Sequence, residues 1–304
     1  MQAERLEQDR NDRVTVLSGL GHDPVLRDIL LPLSIGATLL LPEPAADRDA
    51  KALFDWMAAS RPTLCHLTPQ IGHLILGGMP KQRTPPSLRY LFWGGDVLTA
   101  HHLSQFAAVA TGAQSVNFYG ATETPQAFAF FVVEQDLPWR LVPIGQAIPG
   151  VDLYIESASG ERAAYGEYGQ IVARSAFLSN GYLAAGEAPQ AVAATSGFSG
   201  DAYYFGDYGY TLPDGNIVCL GRRDDQLKVR GYRVELAEIA RALEDLDSVA
   251  RAVALGVGDA EQEPRLVAYV ERAPGHMPER EALVRHLRAI LPRYMVPDYY
   301  VVLD

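Results

Sequence analysis

At 304 residues, with 48% apolar and 21% charged side chains, the chain is long enough for one large or two ordinary domains with well-packed cores. A net charge of −11 argues against a general nucleic-acid or anionic-membrane surface, so any polyanion must be met locally. Two cysteines far apart, Cys65 and Cys219, exclude a disulfide framework and a zinc spacing, and no apolar run reaches the roughly 18 residues of a membrane span, so a cytoplasmic setting is expected.

In chain order, VTVLSGL (14–20), ATLLLP (37–42), PTLCHLTP (62–69), LRYLFWGG (88–95) and QSVNFYG (114–120) read as buried strands. Helical patterns at 47–59 and 97–110 lie between them. This βα alternation up to about residue 135 predicts a mainly parallel sheet. From 141 to 222 the strands shorten (VDLYIE, GQIVARS, GNIVCLG) and Gly, Pro and Asp-Gly turns intervene, which predicts an antiparallel or barrel-like piece with PDGN (213–216) as a hairpin turn. Beyond GRRDDQ (221–226) come a helix at 234–246, strands RAVALGV and PRLVAYVE, and an amphipathic helix at 279–291 stopped by Pro292. The predicted organisation is a large unit at 1–224, its βα part at 1–135 and a mostly β part at 136–224, followed by a small α+β unit at 225–304.

Three stretches carry chemistry. NFYGATE (117–123) sets an amide, a phenol, a hydroxyl and a carboxylate on one tight loop; read alone, it is equally an ordinary polar turn. YYFGD (203–207) presents Asp207 after a glycine, suited to a vicinal diol. QLKVRGYRVELAEIARALE (226–244) is a cationic strand, a glycine turn and a helix, and alone reads as a solvated β-turn-α unit.

In this order the stretches resemble the adenylation domains of the acyl-CoA synthetase, nonribosomal peptide synthetase and luciferase superfamily. NFYGATE is similar to N-x-Y-G-P-T-E, YYFGD to Y-R-T-G-D, GRRDDQLKVRGYRVELAEIA to G-R-x-D-x-Q-V-K-I-R-G-x-R-I-E-L-G-E-I-E, and LPRYMVP (291–297) to the lead-in to the last core motif. The resemblance implies an α/β fold, the C-terminal part of an adenylate-forming large domain plus a small mobile domain. It implies ATP and Mg²⁺ as cofactors, an amino acid as substrate, and transfer to phosphopantetheine on a carrier protein. Tyr119 would stack on adenine and Asn117 bond its amine, beside Gly95 and Gly120; Thr122 would touch phosphate and Glu123 hold Mg²⁺. Asp207 and Arg222 would hold the ribose, Asp224 would be the hinge, and Lys228 would be brought to the reacting groups.

LSGLGHDPVLRDILLPLSIGATLLLP (17–42) and CHLTPQIGHLI (65–75) resemble the aminoadipate-reductase branch. Asp23 would then pair with the substrate ammonium and Arg27 and His66 line the side-chain end. Pro24, Phe92, Gly94, Phe118, Gln126 and Ala127 would complete the wall. A guanidinium there favours an acidic side chain such as α-aminoadipate, because bidentate pairing gains most from a carboxylate. Arg27 paired with Asp23 or Asp28, and Asp23 as a helix N-cap before Pro24, are equally open readings.

The family's Ser/Thr/Gly-rich phosphate loop has no counterpart here and its last catalytic Lys would fall beyond Asp304, so the chain is expected to be a piece of an adenylation domain, weak or inactive alone, that needs the N-terminal part of the same domain. A degenerate, non-catalytic partner-binding module and an acyl- or aryl-CoA ligase are the alternatives. Ala121 in place of the family proline is expected to loosen the turn.

Overall fold

The computed structural model describes residues 6–19, 22–43, 49–78, 87–107, 110, 112–124, 127–134, 140–179, 198–199, 202–222, 226–229, 232–258 and 265–303. Two compact units are present, Met1–Gly221 and Arg222–Asp304.

In the first unit, seven strands form one sheet: β1 (Arg13–Thr15), β2 (Thr38–Leu40), β3 (Leu64–Leu67), β4 (Tyr90–Trp93), β5 (Gln114–Tyr119), β6 (Ala129–Val132) and β7 (Gln146–Ala147). Their order is β2-β1-β3-β4-β5-β6-β7. Pairing is parallel from β2 through β5 and antiparallel at β5–β6 and β6–β7. The crossovers carry α1 (Pro24–Ile35), α2 (Ala50–Ser60), α3 (Pro69–Gly77) and α4 (Ala100–Ala107). Asp49 caps α2 by accepting from the Ala52 N–H at 2.7 Å, and Thr68 caps α3 with Pro69 at its first position.

Strand alternation sends side chains to two cores. Cys65, Leu67, Leu91 and Trp93 pack with Leu53 and Met57 of α2, Ile75 of α3 and Phe106 of α4. On the opposite face Leu64, Phe92, Val116 and Phe118 pack together, and His66, two residues from Leu64, shares that face. All four residues of β3 are buried, as a strand covered on both faces requires. Gly72 lets α3 come close, since a Cβ there would lie 2.8 Å from the Trp93 ring.

The rest of this unit is a second sheet of β8 (Val151–Glu156), β9 (Gly169–Ser175), β10 (Phe198–Ser199) and β11 (Ala202–Thr211), antiparallel in the order β10-β11-β9-β8, with β12 (Ile217–Arg222) paired to β11. The expected turn joins β11 to β12: Gly215 has φ +84°, and the Asp214 carboxylate accepts from the Asn216 N–H at 3.0 Å. Tyr119, Phe128 and Ile144 share one core with Ile155, Ile171, Tyr203, Phe205 and Ile217, so the two sheets pack on each other.

In the second unit β13 (Gln226–Val229) and β14 (Tyr232–Glu235) form a hairpin. There follow α5 (Leu236–Glu244), β15 (Val249–Val257), β16 (Arg265–Arg272), α6 (Arg280–Ile290) and β17 (Tyr299–Leu303). β15 is antiparallel and β17 parallel to β16, and Ile239, Leu243, Leu283 and Leu287 of the helices share a core with Ala268 and Val270 of β16. A second strand, β14, thus precedes the helix, which begins at Leu236. Sequence reading offered only the start of α1, at Asp23-Pro24, and did not anticipate α3 or β17.

Candidate active site

β5 divides its side chains between two neighbourhoods. Asn117 and Tyr119 face one side; Phe118 faces the other. The Asn117 amide nitrogen, 3% exposed as a residue, donates to the Pro143 carbonyl at 2.9 Å, which fixes the direction of the amide. The Tyr119 hydroxyl donates to Asp207 Oδ2 at 2.7 Å, and its ring lies 4.9 Å from that of Phe205. Asp207 reaches this position because the β11–β9 register shifts between Tyr204 and Tyr208 and Gly206 takes φ +78°, a bulge that glycine makes without strain. Two residues 88 apart in sequence, expected to hold adenine and ribose, are therefore in direct contact.

The turn after β5 is closed by Thr124. Its hydroxyl accepts from the Ala121 N–H at 2.9 Å and donates to the Ala121 carbonyl at 2.8 Å. Proline at 121 could not make the first bond. The expectation that Ala121 loosens this turn is thus corrected: the N–H that alanine restores is used to tie it. The Thr122 hydroxyl donates to Asp23 Oδ1 at 2.9 Å. Asp23 is the N-cap residue of α1 with Pro24 at its first position, as that reading expected, but its carboxylate makes no capping bond. Glu123 is buried, and its carbonyl accepts from the Ser179 N–H at 2.9 Å. Gly95 has φ +81°, and the Gly94 N–H before it donates to the Leu67 carbonyl at 3.0 Å. Gly120 follows directly on β5.

On the other side of β5, the Arg27 guanidinium sits 5.3 Å from the Phe118 ring centroid. Phe118 lies 5.3 Å from Phe92, on which the His66 ring stacks at 4.8 Å. His66 Nδ1 lies 3.0 Å from Asp28 Oδ1, with both side chains buried. The two atoms are close enough for electrostatic attraction, although the contact falls short of a well-formed hydrogen bond. Burial drives the proton off His66, with the Arg27 charge helping, and its pKa falls to about 4. Burial would raise Asp28, but contact with His66 and the charges of His66 and Arg27 hold it below the usual carboxylate range. Burial also lowers Arg27, against the opposing pull of Asp28 and Asp23.

Of the predicted wall, Phe92 and Phe118 are core residues with Ala127 packed against them, and Pro24 opens α1. Arg222 ends β12, and the Lys228 backbone pairs with Arg233 in the β13–β14 hairpin. Gln126 and Asp224 lie outside the described residues. Asp28 was read only as a candidate partner of Arg27, and Thr124 was not anticipated. The signal for Asp28 is its spacing: Val25, Asp28 and Pro32 are the buried positions of α1, so an acidic residue occupies the inward face.

Residues 1–183 match the AMP-binding enzyme family, and residues 238–304 match the AMP-binding enzyme C-terminal domain. The chain belongs to the AMP-binding enzyme family. The L-2-aminoadipate reductase of Schizosaccharomyces pombe is 33% identical over 301 residues, 88% of this chain and 21% of that protein. The Vibrio cholerae adenylation domain AlmE, solved in complex with glycyl-adenosine-5'-phosphate, superposes with a TM-score of 0.87 at 24% identity, over all of this chain and 58% of that one. Holo-PA1221, an NRPS protein containing adenylation and PCP domains bound to a vinylsulfonamide inhibitor, superposes at 0.80 with 25% identity, over 97% of this chain and 51% of that one. The chain thus spans about a fifth of the length of the curated relatives it matches. The adenylation-domain resemblance and the α/β class are borne out. Among the described residues no helix is long and apolar enough to cross a membrane, and no group of three or more His, Cys, Asp or Glu side chains is placed to hold a metal.

Proposed function

We propose that the chain is the C-terminal part of an amino-acid adenylation domain, in which a substrate carboxylate oxygen attacks the α-phosphorus of ATP. The bond to the β-phosphate breaks, and pyrophosphate leaves with the electron pair. The observation that carries the reading is the double tether of one loop: Tyr119 to Asp207 at one end and Thr122 to Asp23 at the other. Nucleotide residues and the carboxylate expected to meet the substrate ammonium are thereby held in one frame, as positioning a bound acid against a phosphate requires.

In this reading the Tyr119 ring takes the adenine face, Asn117 the exocyclic amine, and Asp207 with Arg222 the ribose. Thr122 meets phosphate. Glu123 fits Mg²⁺ brought by ATP, because that ion is ordinarily held by one or two carboxylates plus substrate phosphates. The second unit is the mobile domain that turns about Asp224 and carries Lys228. Transfer to a carrier-protein phosphopantetheine is supported by the adenylation and PCP domains joined in PA1221, and an acidic, aminoadipate-like substrate by the reductase relatives and by Arg27.

The test is amino-acid-dependent ATP–pyrophosphate exchange, run with the chain alone and with the N-terminal part of an adenylation domain supplied. Exchange that appears on supplementation and is lost in Asp207→Ala supports the reading. A folded, reconstituted protein that exchanges with no amino acid overturns it in favour of a binding module.

A further inference from the structure

The arrangement of Arg27, Asp28 and His66 has a definite charge count. Arg27 carries one positive charge, Asp28 one negative, and buried His66 none. Asp28 Oδ1 faces His66 Nδ1 at 3.0 Å, close enough for charge attraction, and Oδ2 accepts from the Ser18 N–H at 3.3 Å. A carboxylate has no proton to give, so the ring proton belongs on Nδ1, which leaves Nε2 a bare acceptor. Nε2 and Arg27 Nε are both out of contact with water and, among the described residues, have no hydrogen-bond partner. An unmet acceptor and an unmet donor thus flank the Phe118–Phe92 pair.

Counting Arg27, Asp28 and His66, with Asp23 set opposite the substrate ammonium, this end of the site is electrically neutral before any ligand arrives. A side-chain carboxylate entering alone would be a buried anion facing the Nε2 lone pair on one side and, on the other, a guanidinium whose charge Asp28 and Asp23 already offset in part. If Nε2 takes a proton, the count becomes two cations against two anions, and Nε2 turns from a repelling acceptor into a donor. The charged groups acting on His66 are Arg27 and Asp28, both from α1. β4 and β5 present the Phe92 and Phe118 rings. Neighbouring Cys65 is turned to the opposite core, its thiol pushed up to about 12 by burial, and stays neutral.

Resting on the adenylation reading above, we propose that an acidic amino-acid side chain enters between Arg27 and His66 together with one proton, held on His66 Nε2, and that Asp28 is the positioning residue that makes this coupling obligatory. Asp28 does so by cancelling Arg27 and by holding Nδ1, so that Nε2 is the nitrogen offered.

The test is calorimetric binding of L-α-aminoadipate, L-glutamate and L-glutamine to the 304-residue protein between about pH 6 and pH 8, in buffers of different ionisation heat. The acids are expected to bind with uptake of about one proton and to weaken about tenfold per pH unit; glutamine, with an uncharged amide, binds without either effect. In Asp28→Asn the guanidinium is no longer cancelled, so the pH slope for the acids falls below about twofold per unit. His66→Gln also removes the slope. Nitrogen NMR of His66 in the free wild-type protein should show a neutral ring protonated on Nδ1, which keeps the idea testable if a variant fails to fold. Acids that bind with no proton uptake, or a glutamine slope equal to theirs, overturn the proposal. An Asp28→Asn protein with weaker binding and an unchanged slope leaves Asp28 a purely structural residue. Failure of all three amino acids to bind, with no exchange in the assay above, overturns the adenylation reading and this inference with it. Exchange together with pH-independent acid binding overturns this inference alone.

Discussion

Replacing Tyr119 with Phe removes one oxygen and leaves the ring against Phe205 in place. The lost oxygen donates at 2.7 Å to a carboxylate that is 4% exposed, from a residue that is 5% exposed. Water cannot replace the donor at that depth. A hydrogen bond to a charged group contributes about 1.5–3 kcal/mol, and the upper half of that range applies when the acceptor stays buried. For a unit of this size, where 1 kcal/mol moves the midpoint by about 2–4 °C, Tyr119→Phe should lower the melting temperature by roughly 5–10 °C. Urea unfolding of wild type, Tyr119→Phe, Asp207→Asn and the double variant isolates the pair, and the coupling energy should exceed about 1 kcal/mol. If Tyr119→Phe falls within about 0.5 kcal/mol of wild type, or the two substitutions are additive, the link between the two sheets is not what this geometry implies.

Three further outcomes follow from the same structure. The depressed His66 pKa, about 4 against an ordinary 6.5, means that below about pH 6.5 the unfolded chain binds a proton the folded chain refuses. Stability should therefore be full above that pH and fall toward pH 4 by something on the order of 3 kcal/mol, and His66→Gln should flatten this limb in pH-dependent unfolding; an identical acid limb in the variant contradicts the assignment. Thr124→Val deletes the two side-chain bonds of the 121–124 turn, leaving the backbone bond from the Thr124 N–H to the Ala121 carbonyl, and should cost about 2 kcal/mol in chemical unfolding, whereas Thr124→Ser stays close to wild type. Gly145→Ala places a Cβ 1.9 Å from the Phe130 carbonyl oxygen at φ +84°, so a loss of more than about 3 kcal/mol, or no soluble protein, is expected on expression and melting.

The parallel sheet was legible because strands buried on both faces read as unbroken apolar runs: LCHL and YLFW could hardly be anything else. The PDGN turn announced itself through Asp214 and Gly215. α1 did not. Its buried positions are Val25, Asp28 and Pro32, while Leu26, Leu30 and Leu33 are more than half exposed, so inward and outward faces are both apolar in part and the 3.6-residue period is blurred. An interior proline further disguises it as loop. Motif resemblance picked out Tyr119 and Asp207 singly, but no periodicity encodes a hydrogen bond between residues 88 apart; it depends on the Gly206 bulge. Asp28 was hidden for a related reason: beside Arg27 it reads as half of a surface pair, and only the packing of α1 over β3 turns it toward His66.

The account stands on one loop serving nucleotide and amino acid together, and the binding of a non-hydrolysable aminoacyl-sulfamoyl adenosine, which joins the two, tests it most directly. Calorimetry on the 304-residue protein should show saturable binding that is lost in both Asp207→Ala, at the nucleotide end, and Asp23→Ala, at the ammonium end. Binding that survives both substitutions, or no binding by a folded wild-type protein, would contradict it.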